Sequence, residues 1–252
     1  MNLDEMLDIV KEVDSDDVNL YMVHNVNSIK GRGYSVVNPT IGNTFKQQLQ
    51  SIAQDELTRY EGSPQAQYNP TGTLDNVVEK AEVKSVKPIS TLKEALDKPL
   101  QKFNFNNDSF NCFIYEFPYK DKNGELKSLL VFRRTKKFKS FRFIGYLNAG
   151  TFQKLKNSDM LATDEYIDFI MDEEDIYIFQ HISFERIFNL RSKFVEKAKS
   201  VLSNTKLADK IENFDKLREE ALDNQSYVKR LAKLSKGKND AALFLEDLDA
   251  TK

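Results

Sequence analysis

A single cysteine, Cys112, in 252 residues excludes an intramolecular disulfide and a cysteine-rich zinc site, and it fits a reducing cytoplasm. Its neighbours in Asn111-Cys112-Phe113-Ile114-Tyr115-Glu116-Phe117 are mostly large and apolar, so it reads as a small buried core residue rather than a nucleophile. No window approaches the roughly 18 apolar residues of a membrane span. The opening residues, Met1 to Asp17, are acidic and lack the basic lead and apolar stretch of a secretory signal. Gly-rich phosphate loops, nucleophile elbows and His-Glu-x-x-His zinc motifs are also missing, and Gly31-Arg32-Gly33 is too short to stand for a phosphate loop. His24 and His181 are the only histidines, and with no third ligand in view each reads as structural. The sequence therefore implies no metal and no other cofactor.

What the chain does have is charge, unevenly placed. A formal net charge of −2 argues against a wholesale polyanion binder, but binding responds to the local field. Between Leu126 and Ser158 lie Lys127, Arg133, Arg134, Lys136, Lys137, Lys139, Arg142, Lys154 and Lys156, without one carboxylate. Asp159, Asp164, Glu165, Asp168, Asp172, Glu173, Glu174 and Asp175 follow, with no lysine or arginine until Arg186.

Hydrophobic periodicity organises the rest. Leu3, Met6, Leu7, Ile9, Val10 and Val13 predict a first helix, and residues 18–26 and 33–37 predict two strands. Phe45, Leu49, Ile52, Ala53, Glu56 and Leu57 define one face of a long helix over 43–60, followed by loop chemistry from Gly62 to Asn76. Ser90 reads as the cap of a short helix. Two apolar strands flank Asp121-Lys122-Asn123-Gly124 as a hairpin, and a second hairpin brackets the acidic Asp172-Glu173-Glu174. Phe132, Phe141 and Phe143 are expected to face inward with Phe113, Tyr115 and Phe117. From Ser183, expected to cap the next helix, the pattern is helical to the end. Strands first and helices last predict an α+β fold: a mixed or antiparallel sheet built from hairpins with packed helices over residues 1–190. A helical C-terminal region over 191–252 follows, as a second domain or a continuation of the first.

Unpaired buried charge is costly, so the cations of the Arg133–Arg142 run are expected at the surface. The plain interpretation of a charge run is a solvated face. A purely solvating face in so charged a chain would interleave both signs, however, and this run also carries aromatic residues. Arg133, Arg134, Lys136, Lys137, Lys139 and Arg142 are therefore candidate phosphate contacts, with Phe138 packed beneath or stacked on a base. Lys229, Arg230 and Lys233 on a late helix form a second candidate. A rival reading is a metal-dependent nuclease using Glu82 and Lys84, or Glu125 and Lys127, which needs a third carboxylate within metal reach. The stretch Asp164–Asp175 lacks the spacing of a calcium loop and reads as a solvated hairpin tip, exposed at Asp172–Asp175, or as an acidic surface for a basic partner. Opposite charge clusters and amphipathic C-terminal helices predict self-association, most simply as a homodimer.

Three segments, Glu56–Glu79, Asp172–Leu190 and Tyr227–Leu248, resemble the KwaB family, in the same order along the chain. The junction Asp175-Ile176-Tyr177-Ile178-Phe179 to Phe184-Glu185-Arg186-Ile187-Phe188 is the most specific part. KwaB is the soluble component of the two-protein Kiwa anti-phage defence system of bacteria. The resemblance implies a cytoplasmic effector that binds DNA and associates with a small membrane-spanning partner, KwaA, at the inner face of the membrane; lysine and arginine contacts to phosphate would make the DNA recognition largely independent of sequence. It brings no catalytic motif with it, so a non-catalytic DNA binder is the leading reading. The nuclease, and a scaffold for a membrane-associated complex, are its rivals. It also implies a further C-terminal segment after Lys252, so a shorter relative and a truncated chain both fit.

Overall fold

A computed structural model describes residues 1–28, 31–71, 76–100, 110–135, 144–148, 150–155, 165–203 and 211–234. The chain divides into two compact units, residues 1–67 with 76–187, and residues 68–75 with 188–252. The fold is α+β, as the order of elements predicts.

The first unit is organised by an eight-stranded mixed sheet. Its strands are β1 (Asn19–Ser28), β2 (Gly31–Val37), β3 (Gln65–Gln67), β4 (Val78–Glu82), β5 (Cys112–Lys120), β6 (Leu126–Arg134), β9 (Phe169–Met171) and β10 (Asp175–Ile178). The order across the sheet is β2-β1-β5-β6-β9-β10-β4-β3, antiparallel throughout except for β3 beside β4. A separate hairpin pairs β7 (Ile144–Asn148) with β8 (Thr151–Leu155).

Local chemistry explains the best-defined turn. Asp121 receives the Gly124 N–H on its carbonyl at 2.9 Å, and its Oδ1 accepts from the N–H groups of Asn123 and Glu125 at 2.8 and 2.9 Å. Gly124 sits at φ +80°, a conformation that side chains resist, with nothing within 4 Å of where a Cβ would lie. Gly124→Ala should therefore cost about 1–2 kcal/mol through the backbone alone, measured by urea titration. An unchanged midpoint would mean that the turn relaxes without penalty.

Helix α1 (Leu3–Glu12) opens with a reciprocal cap between Asn2 and Glu5. It packs with α2 (Asn43–Arg59) on one sheet face, burying Met6, Val10, Leu49, Ile52 and Leu57 against Met22, Phe113, Tyr115, Phe117, Leu129 and Val131. Phe132 does not join this layer. It pairs with Ile114, so it leaves the opposite face, where its ring stacks on Phe169 at 4.2 Å. Phe169 meets Phe184 edge-on at 5.4 Å, which seats α4 (His181–Ile187) on that second face. The central strands are thus covered on both sides, and β6 is buried at every position from Leu129 to Arg133. Phe141 and Phe143 lie outside the described residues.

Several expectations need correction. Helix α3 (Pro88–Leu96) starts at Pro88, whose fixed φ suits a first helical position, and Ser90 lies inside it with Oγ bonded to the Lys87 carbonyl at 3.0 Å. The Gly62–Asn76 loop contains β3. Ser183 is not a cap either: α4 begins at His181, and the Phe184 N–H donates to the Gln180 carbonyl at 3.1 Å. In the acidic hairpin Glu173 and Glu174 are exposed, but Asp172 is buried because its Oδ1 accepts the N–H groups of Glu174 and Asp175, each at 2.7 Å.

The second unit holds α5 (Leu190–Leu202), α6 (Phe214–Asp223) and α7 (Gln225–Leu234). Leu202, Phe214 and Ala221 form its core, with Val201, Ile211, Leu222 and Leu231 packed around them.

Candidate nucleic-acid interface

The two ends of the basic inventory behave differently. Arg133 is buried, and its Nη1 donates to Asp168 Oδ1 at 2.8 Å, with Asp168 itself inaccessible to solvent. Its guanidinium also lies 5.9 Å from the Tyr166 ring centre, and Arg59 approaches the same ring at 5.3 Å. The expectation that every cation of the run is exposed therefore fails at Arg133, because a carboxylate 35 residues on, just before β9, compensates its charge. Arg134 is half-buried; its backbone N–H donates to Asp168 Oδ2 at 2.5 Å. Lys136, Lys137, Phe138, Lys139 and Arg142 lie outside the described residues. Lys127 is engaged by Asp121 at 3.2 Å and Glu173 at 3.0 Å.

In the second unit, α5 and α7 pack together, and Lys229 Nζ lies 6.0 Å from the Phe194 ring centre. Helix α7 carries Lys229, Arg230 and Lys233 and no carboxylate; α5 adds Arg191, Lys193, Lys197 and Lys199 against Glu196 alone. Arg191, Lys197, Lys199, Arg230 and Lys233 are exposed, and none has a carboxylate within ion-pair distance among the described residues. Helix stability does not account for this distribution. Arg191 and Lys193 occupy the first turn of α5, where the partial positive charge of the helix end disfavours cations, and that turn contains no acidic residue. The neighbouring α6 interleaves both signs, with Arg218 3.6 Å from Asp215 and Lys216 3.9 Å from Glu220. Two packed helices with seven cations and a single carboxylate present a field suited to a polyanion.

The carboxylate–lysine triplets are plainer. Glu82 and Lys84 are exposed and pair with each other at 3.3 Å. Glu125 lies exposed beside the hairpin turn, and Lys127 is held as above. Among the described residues no group of three or more histidine, cysteine or acidic side chains is placed to hold a metal ion. Asp75, the carboxylate seven residues before Glu82 in the chain, lies outside the described residues. Cys112 is fully buried, which pushes its thiol pKa up and away from nucleophilic use.

His181 gathers a buried constellation that spacing does not announce. Its Nδ1 lies 2.5 Å from Glu79 Oε2 and its Nε2 2.9 Å from Glu185 Oε1, with all three side chains buried. Burial disfavours the imidazolium, but the hydrogen bonds to Glu185 and Glu79 outweigh it and raise the pKa to about 9. The group joins α4 to β4.

A family model described as Kiwa protein KwaB-like matches residues 107–248, more than half of the chain. The chain belongs to the KwaB-like family. No curated protein and no solved structure matches it. Family membership makes it a component of Kiwa anti-phage defence, a system that implies partner components. The matched region holds the whole carboxylate-free run, α4 and the cationic helix pair. Among the described residues no helix is long and apolar enough to cross a membrane.

For this family member, sequence reasoning named Lys229, Arg230 and Lys233 but missed Arg191, Lys193, Lys197 and Lys199. Their signal was the single glutamate among four cations on α5, and pairing with α7 gives it weight.

Proposed function

We propose that the protein is the DNA-binding component of a Kiwa-like system, and that α5 and α7 of the second unit carry the contact. The observation behind this reading is the ratio of seven cations to one carboxylate on two packed helices. Lysine and arginine contacts to phosphate carry little sequence information, so binding is largely sequence-independent. Arg134, Lys136, Lys137, Lys139 and Arg142 add cations from the carboxylate-free run, whereas Arg133 is paired with Asp168. A KwaA-like membrane partner and self-association as a homodimer complete the proposed assembly.

The test is a salt titration of duplex binding, with magnesium present and absent so that cleavage is also seen. Reversing Arg191, Lys197, Arg230 and Lys233 to glutamate should weaken binding to unrelated duplexes about equally. It should also flatten the log–log salt slope by about 0.9 for each phosphate no longer neutralised. Lys216→Glu with Arg218→Glu on α6 serves as the folded control and should change affinity far less. Unchanged affinity in the folded quadruple variant would refute the helix pair as the contact.

A further inference from the structure

Helix α1 turns one sign of charge to solvent. Leu3, Met6, Leu7 and Val10 are buried, so Asp4, Glu5, Asp8 and Glu12 share the opposite, exposed face. The short 3-10 helix Ser15–Asp17 and its cap, Asp14, continue it with Asp14, Asp16 and Asp17, all exposed. Lys11 is the one cationic side chain among residues 1–17. None of these carboxylates forms an ion pair among the described residues. Glu5 accepts the Asn2 N–H at 2.9 Å and Asp14 the Asp16 N–H at 3.0 Å, whereas Asp4, Asp8 and Glu12 simply face outward.

Helix stability does not call for this face. Asp4 and Asp8, and then Asp8 and Glu12, stand one turn apart, where like charges destabilise a helix. Glu12 closes the last turn, where a negative charge meets the negative end of the helix. Solvation alone would be served by interleaved signs, as on α6. The exposed cations of α5 and α7, Arg191, Lys197, Lys199, Arg230 and Lys233, are the complement. With a formal net charge of −2, the chain keeps its two signs apart rather than out of balance. Each copy therefore carries one face of each sign. A basic partner of another sequence would account for α1 alone, whereas a second copy accounts for both faces through one kind of contact.

We propose that the acidic face of α1 docks on α5 and α7 of a second copy of this chain. Complementary charge selects which surfaces meet and speeds their encounter. Exposed ion pairs are individually weak, so the contact is reversible and sensitive to salt. DNA and the second copy compete for the same helices, and self-association keeps α5 and α7 covered until a polyanion displaces it. The docking rests on the exposed charges of the two faces and not on DNA binding.

Sedimentation velocity of the full chain over a concentration series tests it. The association constant should fall at least about tenfold between roughly 0.05 and 0.5 M salt. Asp4→Lys, Asp8→Lys and Glu12→Lys together should weaken association at least about tenfold, as should reversing Arg191, Lys197, Arg230 and Lys233 to glutamate. Each of these variants repels its own kind. Mixed one to one, each supplies the face that the other needs, so the mixture should associate as the parent does. Damage to the fold could not be repaired in this way. Lys216→Glu with Arg218→Glu on α6 should leave association unchanged. Carbodiimide, which joins carboxylates to amines in direct contact, should link α1 to Lys197, Lys199 or Lys233 of an isotopically distinct copy. An added duplex should suppress those links; links that form and persist with duplex present uphold the docking and count against the helix pair as the DNA contact. The proposal is overturned if the parent stays monomeric at low salt, if its association ignores salt, or if the mixture of the two folded reversals fails to associate.

Discussion

Replacing Asp168 with alanine is expected to destabilise the protein by about 3–5 kcal/mol, because it strands a buried guanidinium. Arg133 is 5% exposed and Asp168 0%, so water cannot stand in for the missing carboxylate without opening the sheet. The same carboxylate also receives the Arg134 N–H, so a backbone donor loses its acceptor as well. Removing both charges should be gentler than removing one: Arg133→Met with Asp168→Ala is expected to recover part of the stability. Urea titrations of the single and double variants supply the comparison. A change below about 1 kcal/mol for Asp168→Ala would show that the pair behaves as an exposed one.

Stability should also fall with rising pH because of His181. Its folded pKa, about 9, stands above its ordinary value of 6.5, so the folded protein holds this proton more tightly than the unfolded chain. The contribution is complete below pH 6.5 and is lost as pH rises through about 9. His181→Phe removes the cation and leaves Glu79 and Glu185 buried without it, so the destabilisation near neutral pH should be about 3–5 kcal/mol. The variant should also show a flatter profile between pH 6.5 and 9. Denaturant midpoints across that range decide the matter, and a parent protein whose stability is level there would remove the charged His181 from the account.

What could be read from the sequence divides by distance along the chain. The Asp121–Gly124 hairpin was legible because turn and strands are neighbours, and the acidic hairpin for the same reason. The burial of Arg133 was not, since its partner lies 35 residues away, and Glu79 lies 102 residues from His181. Charge spacing showed cations but not which of them already have partners. Strand β4 was hidden because Glu79, Lys80 and Glu82 interrupt its apolar residues; Glu79 is buried by His181, and Lys80 is held by Asp175 at 2.7 Å. Phe132 is buried as expected, but on the face opposite Phe113, Tyr115 and Phe117, since alternation reveals two faces without showing that both are covered. The late basic helix was legible, but the cationic helix beside it gains meaning only through packing.

The sheet order has a consequence for synthesis on the ribosome. Strand β4 reaches the sheet through β10, where Glu79 pairs with Ile178, so its antiparallel neighbour is made 99 residues later. At about 5–20 residues per second, β4 waits roughly 5–20 s with that edge open. During that interval Val78 and Ala81 lack their cover, and Glu79 and Lys80 keep the nascent strand hydrated. When β10 arrives, the same two side chains engage His181 and Asp175, so the charges that keep the waiting strand soluble become the latch that closes it into the sheet.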